Sequence, residues 1–297
     1  MQSPDWDAVN GIEVRRIEDA RAVVHRAESD AEYIIGQKKP GSLPLRFLYA
    51  PKDSSTLVVS FHGSLQRSKY QLPRFEWRKT LRLLDAAALM IADTTLDLDD
   101  SMPLSWFVGT EQCNLTADIA DFITLMAAQG GYSNILLAGS SGGGFAAMAV
   151  SSRLPGTAAV CFSPQTRIGD YIPWVHKKFV STAFPSFESI EGVEKSHPHR
   201  VNLRYLYGEG QISNYVRYVQ NSRDHDHVEQ HYKPFASSLG IEYTNGGMDA
   251  SNRVRLLLEP LGQGHQPPPR GRFLGHLRAA HEEFFGSKLQ QLEPEPS

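Results

Sequence analysis

The sequence contains little cysteine and no long apolar run. Its two cysteines, Cys113 and Cys161, do not form a Cys-x-x-Cys pair, so no disulfide framework or zinc site is indicated. We expect both to be buried thiols. No stretch approaches the roughly 20 apolar residues that span a bilayer, and the polar, acidic start of the chain is unlike a secretion signal. These absences predict a cytoplasmic protein without a membrane partner.

Charge of one sign is also lacking, because the formal net charge is only -3 and charged residues make up 21% of the chain. Proteins that bind nucleic acid usually carry a basic face, so we expect no nucleic-acid partner. Hydrophobic residues make up 41% of the 297 positions, enough for a substantial core. We predict a single domain over residues 1–286 and a short, polar, disordered tail over 287–297.

Short apolar runs alternate with helical patterns in the middle of the chain. Residues 57–61, 134–138 and 158–162 are continuous apolar runs, typical of strands buried on both faces. Between the first two, apolar side chains over 115–126 have the spacing of an amphipathic helix. This alternation predicts the α/β class, with a mostly parallel central sheet and helices on both faces.

The alternation is interrupted after residue 162. The segment 165–200 is rich in aromatic, proline and charged residues, and we interpret it as a small cap over the carboxyl edge of the sheet. Further strands are predicted at 203–207, 215–219, 241–244 and 254–258. Antiparallel edge strands are predicted near the start of the chain, at 12–17, 22–25 and 46–49.

The run Gly139-Ser140-Ser141-Gly142-Gly143 matches the pattern G-x-S-x-G, between an apolar strand and a helix. In such a turn, side chains two residues before and after the serine would collide, which favours glycine there. The two flanking glycines favour Ser141 over Ser140 as the exposed nucleophile. The helix that follows directs its N-terminus at the site, where its dipole favours developing negative charge. The alternative is a glycine-rich packing turn; no lysine follows, as a phosphate-binding loop would need.

A candidate oxyanion hole precedes this turn. His62 and Gly63 directly follow the apolar run 57–61, where this architecture supplies one backbone N–H for an oxyanion. We therefore predict that the amide of Ser64 or Gly63 acts with that of Gly142. The alternative is an ordinary turn.

The base and the acid are expected downstream of the serine, with the acid first. His265 lies in a glycine-bracketed loop after the run 254–258 and is the predicted base. Asp224 and Asp226 both follow the run 215–219, and either can be only a helix N-cap. Asp224 is preferred because two residues then separate it from the start of the next helix. Its predicted role is to orient the imidazole and stabilise the protonated form.

A metal site is a competing interpretation of the same stretch. Four residues of types that bind metals lie close together in the sequence: His225, Asp226, His227 and His231. The last two histidines are four residues apart. The glutamate, however, stands at Glu229, so the pattern is not H-E-x-x-H. We predict no metal and no cofactor.

These residues resemble the α/β-hydrolase superfamily. The resemblance covers roughly 45–285 and rests on FHG at 61–63, GSSGG at 139–143, the loop of Asp224 and the glycine-flanked His265. It implies an α/β-hydrolase fold and a serine hydrolase.

Four shorter stretches are similar to poorly characterised bacterial hydrolase-like proteins, some linked to surface polysaccharide or glycoprotein genes and some to accessory-secretion acetyltransferase-like proteins. These stretches are 106–110, 139–147, 163–166 and 218–221. That resemblance implies ester or acyl-transfer chemistry on a sugar-bearing substrate.

Three functional hypotheses follow. The first is a carboxylesterase-like serine hydrolase that cleaves a small-molecule or glycan ester through an acyl-enzyme. The others are an O-acyltransferase acting on a glycan or glycoprotein, and a non-catalytic scaffold, since a fold does not guarantee activity. Oligomeric state stays open. The candidate substrate-binding residues are His62, Arg67, Trp106, Phe107 and Trp174.

Overall fold

One sheet of eleven strands organises the chain. The computed structural model describes residues 5–26, 29–37, 39–209 and 212–293. The strands are β1 Asp5–Asp7, β2 Ile12–Ile17, β3 Ala31–Ile35, β4 Leu45–Ala50, β5 Thr56–Phe61, β6 Ala87–Ile91, β7 Asn134–Ser140, β8 Ala158–Phe162, β9 Tyr215–Asn221, β10 Gly247–Met248 and β11 Val254–Glu259.

The strand order is β1-β2-β3-β4-β6-β5-β7-β8-β9-β11-β10. All neighbours from β6 to β11 in this order run parallel, and β2 also runs parallel to β3. The other pairs are antiparallel. The carboxyl ends of β5, β7, β8, β9 and β11 therefore meet at one edge, where their loops come together.

Helices connect most of the strands. The α-helices are α1 Arg78–Leu81, α2 Leu115–Gly130, α3 Gly142–Ser151, α4 Pro173–Ala183, α5 Ile190–Ser196, α6 Pro198–Val201, α7 Leu203–Gly208, α8 His225–His227, α9 Lys233–Ser238 and α10 Arg270–Phe285. Short 3-10 helices span Ala20–Ala22, Thr94–Leu98 and Ile168–Asp170, and a π-helix spans Val228–Tyr232.

Adjacent residues of the central strands pack on opposite faces of the sheet. Val59 of β5 belongs to the cluster that contains Ile119 of α2, whereas Val58 belongs to the cluster that contains Leu277 of α10. Both valines are buried. Because helices cover both faces, the central strands are apolar throughout, and the predicted α/β class with a mostly parallel sheet is confirmed.

The segment between β8 and β9 is helical and supplies core side chains. Phe179 of α4 and Val193 of α5 pack in one cluster with Phe145 of α3. The predicted strand at 203–207 is wrong, because Asn202 caps a helix there by accepting from the amides of residues 204 and 205. The run 241–244 is not a strand either.

The start and the end of the chain also differ from expectation. Residues 22–25 do not form a strand, whereas the more polar β3 at Ala31–Ile35 does. The prediction of a disordered tail is wrong for 287–293: Leu289 is buried, and the amide of Leu292 donates to the carbonyl of Leu83. Residues 294–297 lie outside the described residues.

The cysteines and the hydropathy of the helices can be compared with what the sequence predicts. Cys113 and Cys161 are free and buried, as expected. Among the residues described, no helix combines the length and the hydropathy that crossing a membrane requires.

Candidate active site

Ser141 occupies the sharp turn between β7 and α3. Its backbone has φ 57° and ψ -124°, a conformation that costs energy for a residue with a side chain. A Cβ on Gly139 would lie 2.2 Å from the carbonyl oxygen of Gly143, and one on Gly143 would lie 2.4 Å from that of Phe61. Both flanking positions therefore require glycine: Gly139 because of the close approach across the turn that the sequence pattern suggested, and Gly143 because of the neighbouring end of β5.

The structure brings His265 to this serine. The Nε2 atom of His265 lies 2.8 Å from Ser141 Oγ, although 124 residues separate them. Its Nδ1 atom lies 2.6 Å from Oδ2 of Asp224, which is buried. The neighbouring parallel strands β9 and β11 end side by side, which places the Asp224 and His265 loops together. Asp226 is exposed, and the acid that meets the imidazole is Asp224.

The Asp224 carboxylate receives two imidazoles. Burial by itself would raise the pKa of Asp224, but the hydrogen bonds from His227 and His265 outweigh it and hold the pKa below its ordinary value. The group is therefore an anion that can stabilise a proton on the neighbouring ring.

His227 is the second imidazole, and the sequence pattern did not indicate it as a partner of the serine. Its ring stacks on that of His265, with centroids 3.8 Å apart and an interplanar angle of 8°. Its Nδ1 atom lies 3.3 Å from Asp224 Oδ1. Burial lowers the pKa of His227, which favours its neutral form. The available signal was its position three residues after Asp224, at the start of a helix.

Gln165 was also missed, although it lies directly downstream of β8. Its side chain is fully buried, and its Nε2 atom lies 2.8 Å from Ser141 Oγ and 2.9 Å from His227 Nε2. Its Oε1 atom accepts a hydrogen bond of 3.2 Å from the indole Nε1 of Trp106. Because β8 pairs with β7 in parallel, the segment after β8 emerges beside the serine turn.

The predicted oxyanion amides adjoin the serine. A Cβ on Gly63 would lie 3.5 Å from Cβ of Ser141, so the loop after β5 abuts the turn. Gly142 is the first residue of α3, where backbone N–H groups have no partner within the helix. Within the described chain, the amides of Gly63, Ser64 and Gly142 donate to no other group.

Two of the predicted substrate-binding residues also hold the fold together. His62 is fully buried; its Nδ1 lies 2.9 Å from the Gly63 carbonyl, and its Nε2 accepts from the amide of Asp93. The guanidinium of Arg67 donates to backbone carbonyls, including that of Met102 at 2.9 Å. Their predicted contact with substrate stays a prediction.

The aromatic candidates differ from one another. Phe107 is fully buried, and its amide donates to Asp93 Oδ2; its predicted contact with substrate stays a prediction. Trp106 is fully buried too and reaches the serine only through Gln165. Trp174 on α4 is 59% exposed, and its predicted contact with substrate stays a prediction.

A cavity of about 800 Å³ opens beside His265. Its walls carry acidic and basic side chains, the ring of Tyr171, imidazoles that include His265, and apolar groups such as Ile172 and Pro173.

The side chains of the alternative metal site, His225, Asp226, His227 and His231, do not all face the same point. His225 and Asp226 are exposed, whereas His227 is buried against Asp224. Asp224, His227 and His265 do each offer an atom within 4.8 Å of the others. Two contacts of the Asp224 carboxylate account for this proximity: His265 Nδ1 lies 2.6 Å from Oδ2, and His227 Nδ1 lies 3.3 Å from Oδ1.

No family model matches the sequence, and neither does any curated protein. Solved structures do match. The capsule O-acetyltransferase of Neisseria meningitidis serogroup A aligns with a TM-score of 0.58 and 16% identity over 85% of this chain and 97% of that one. A Glycosylation Associate Protein complex from Streptococcus agalactiae gives 0.62 and 15% over 88% and 48%.

An S-formylglutathione hydrolase from Agrobacterium tumefaciens aligns with a TM-score of 0.55 and 12% identity over 86% of this chain and 95% of that one. At such identities the likeness establishes the architecture alone. The chain has the α/β-hydrolase fold, and the resemblance inferred from its motifs is confirmed at that level.

Proposed function

We propose that the protein is a serine hydrolase that cleaves carboxylic esters through an acyl-enzyme. The single observation that carries this proposal is the run of contacts from Ser141 Oγ to His265 Nε2, at 2.8 Å, and from His265 Nδ1 to Asp224 Oδ2, at 2.6 Å. A nucleophile, a base and an orienting acid in hydrogen-bond contact are the arrangement that activates a serine hydroxyl.

The proposed reaction has two halves. As Ser141 Oγ forms a bond to the ester carbon, its proton moves to His265 Nε2, and the carbonyl π pair moves to the carbonyl oxygen. When this intermediate collapses, the bond to the leaving alcohol breaks and the alcohol takes the proton from His265. Water then repeats the sequence, its proton passing through His265, and releases a carboxylic acid and the free serine.

The oxyanion is assigned to backbone amides. Gly142 directly follows the serine, and a Cβ on Gly63 would lie 3.5 Å from that of Ser141, which supports a role for the amides of Gly142 and of Ser64 or Gly63 as donors to the carbonyl oxygen. Removing one such donor typically costs roughly 10²–10³-fold in rate. Backbone amides suit this role because they are fixed before the reaction begins.

Acyl transfer to a hydroxyl is the second candidate. A capsule O-acetyltransferase has the same fold over 97% of its length, and the cavity beside His265 carries polar groups that suit a hydroxyl-rich acceptor, such as a glycan or glycoprotein. In this version an acceptor alcohol replaces water in the second half, and the rest of the mechanism is unchanged.

Covalent labelling tests the proposal without knowledge of the substrate. We expect a fluorophosphonate to add once to the wild-type protein, with the adduct mapped to Ser141 in a peptide digest. Ser141→Ala should acquire no adduct, whereas Ser140→Ala, a matched change one residue away, should still be labelled. An unlabelled wild-type protein would leave only the scaffold hypothesis, and an adduct on another serine would overturn the assignment of Ser141.

Turnover of p-nitrophenyl acetate separates the two enzyme candidates. Steady release of p-nitrophenol in buffer alone indicates hydrolysis. A burst of one equivalent, followed by turnover that depends on an added sugar acceptor, indicates transfer. Ser141→Ala should show neither.

A further inference from the structure

The side chain of Gln165 has only one consistent orientation. An indole N–H can donate but not accept, so the group that faces Trp106 Nε1 must be the amide oxygen of Gln165. The two hydrogens of the amide nitrogen then face Ser141 Oγ and His227 Nε2. Gln165 is therefore a donor to the nucleophile oxygen.

The remaining protons follow from that orientation. Because His227 Nε2 accepts from Gln165, the proton of this neutral ring is on Nδ1, which faces Asp224 Oδ1. His265 Nδ1 donates to the other carboxylate oxygen, which leaves its Nε2 to accept the hydroxyl proton of Ser141. Four hydrogen bonds and the 3.3 Å contact between His227 Nδ1 and Asp224 Oδ1 thus link the five side chains in a closed ring, with a donor facing an acceptor at every contact.

We propose that Gln165 is a further catalytic residue, which donates an N–H to the nucleophile oxygen, and that His227 is a positioning residue, which orients the Gln165 amide and the Asp224 carboxylate. This inference rests on the proposed function. With one lone pair of Ser141 Oγ occupied by Gln165, the hydroxyl proton is directed at His265.

The same N–H stabilises the negative charge that develops on Oγ while its proton passes to His265 Nε2. Gln165 itself transfers no proton, and after acylation it donates to the bridging ester oxygen. Since Ser141, Gln165 and His227 are all buried, their hydrogen bonds lie in a medium of low dielectric constant, where such bonds are stronger.

The surrounding chain holds Gln165 and His227 in position. The residue after Gln165 is anchored twice: the amide of Thr166 donates to His231 Nδ1, and its hydroxyl donates to the His231 carbonyl. The rings of His227 and His231 lie 4.9 Å apart, so the helix that carries His227 also holds the segment that carries Gln165. The two added residues are therefore held against each other as well as against the triad.

The test is the second-order rate constant of fluorophosphonate labelling, which reports the reactivity of Ser141 itself. Gln165→Met keeps the size and removes the donor, and we expect the rate constant to fall roughly 10²-fold, as for other donors to a reacting oxygen. Gln165→Glu keeps the shape and replaces the donor with an acceptor, and we expect a fall at least as large. With p-nitrophenyl acetate, kcat should fall and KM should stay unchanged.

His227→Phe keeps a ring for stacking and removes the hydrogen bond to Gln165 and the contact with Asp224, and we expect roughly a tenfold fall in the labelling rate constant. Because His227 acts through Gln165, the double variant with Gln165→Met should lose less than the product of the two single losses. His281→Gln is the matched control. It alters another buried histidine with two hydrogen bonds, to Thr56 Oγ1 and the Ser287 carbonyl, and should be labelled at the wild-type rate.

Thermal unfolding of each variant shows whether it is folded. If Gln165→Met does not fold, the labelling rate constant of the isosteric Gln165→Glu provides the test. Folded Gln165 variants that react at the wild-type rate, or single losses that simply multiply in the double variant, would overturn the inference and leave the proposed function standing. A wild-type protein that is not labelled at all would overturn the proposed function itself.

Discussion

Two buried carboxylates, at opposite parts of the sheet, show how the same group serves different ends. Asp224 lies at the carboxyl edge of the parallel strands and is contacted by two imidazoles. Glu32 lies in β3, on the antiparallel side, where it accepts from Arg46 and neighbours Asp7. The pKa of Asp224 is held low, whereas burial, reinforced by Asp7 and opposed by Arg46, raises the pKa of Glu32 to about 7.

The difference lies in the partners rather than in the depth of burial, because both side chains are nearly inaccessible. Two imidazole donors keep Asp224 ionised, as the orienting acid of a histidine must be. One guanidinium beside a second acid leaves Glu32 titrating near neutral pH. The comparison predicts that charge matters for activity at Asp224 and for pH-dependent stability at Glu32.

The largest expected effect is the loss of charge at Asp224. Asp224→Asn preserves the shape but removes the anion that orients His265 and stabilises its protonated form, so kcat for an ester should fall roughly 10³–10⁴-fold. The exposed Asp226, two residues away, provides the control: Asp226→Asn should retain wild-type kcat. Equal losses in both variants would contradict the assignment of the acid.

The second effect is on stability at Glu32. Below its ordinary pKa of 4.5 the group is protonated in both states, but between pH 4.5 and about 7 only the folded protein keeps the proton. Raising the pH through this window therefore costs the wild-type protein up to about 3 kcal/mol of unfolding free energy, relative to Glu32→Gln. Urea unfolding of both proteins at pH 4.5 and pH 8 measures the difference; a constant gap would refute it.

The smallest effect concerns Arg46. Arg46→Met removes the cation that lowers the pKa of Glu32, so the pKa should rise further, by about one unit. The decrease in stability with pH should still begin near pH 4.5, where the unfolded chain loses its proton, but should continue to a higher pH. Comparing Arg46→Met with Arg46→Met/Glu32→Gln across pH isolates this shift, and an unchanged upper limit of the decrease would show that Arg46 does not set the pKa of Glu32.

The residues of the site that the sequence predicted are marked either by a local glycine pattern or by the order of strands and loops along the chain. Ser141 was identified by two glycines that the turn sterically requires. Asp224 and His265 followed from the order of elements, because parallel strands end at one edge and bring their loops together. The meeting of all three depends on backbone topology, which the alternation of strands and helices encodes.

The parts that sequence reasoning missed depend on side chains meeting across the fold. Gln165 and His227 become a pair only when β8 and the helix start after β9 adopt their final positions. The failed strand at 203–207 has a different cause: a short apolar run fits a strand or a buried helix, and the cap at Asn202 decided for the helix. The full burial of His62 and Phe107 could not be predicted either, because a sequence does not reveal which way a side chain points.

The contact between Gly143 and the Phe61 carbonyl has a mechanical consequence. With no room for even one methyl group between them, the end of β5 and the start of α3 cannot slide independently. The attacking oxygen and the amides assigned to the oxyanion thus lie on two elements, α3 and the end of β5, that are packed directly against each other. Thermal motion that displaces one of them carries the other along, so their relative alignment survives fluctuations that would disturb a site assembled from separate loops.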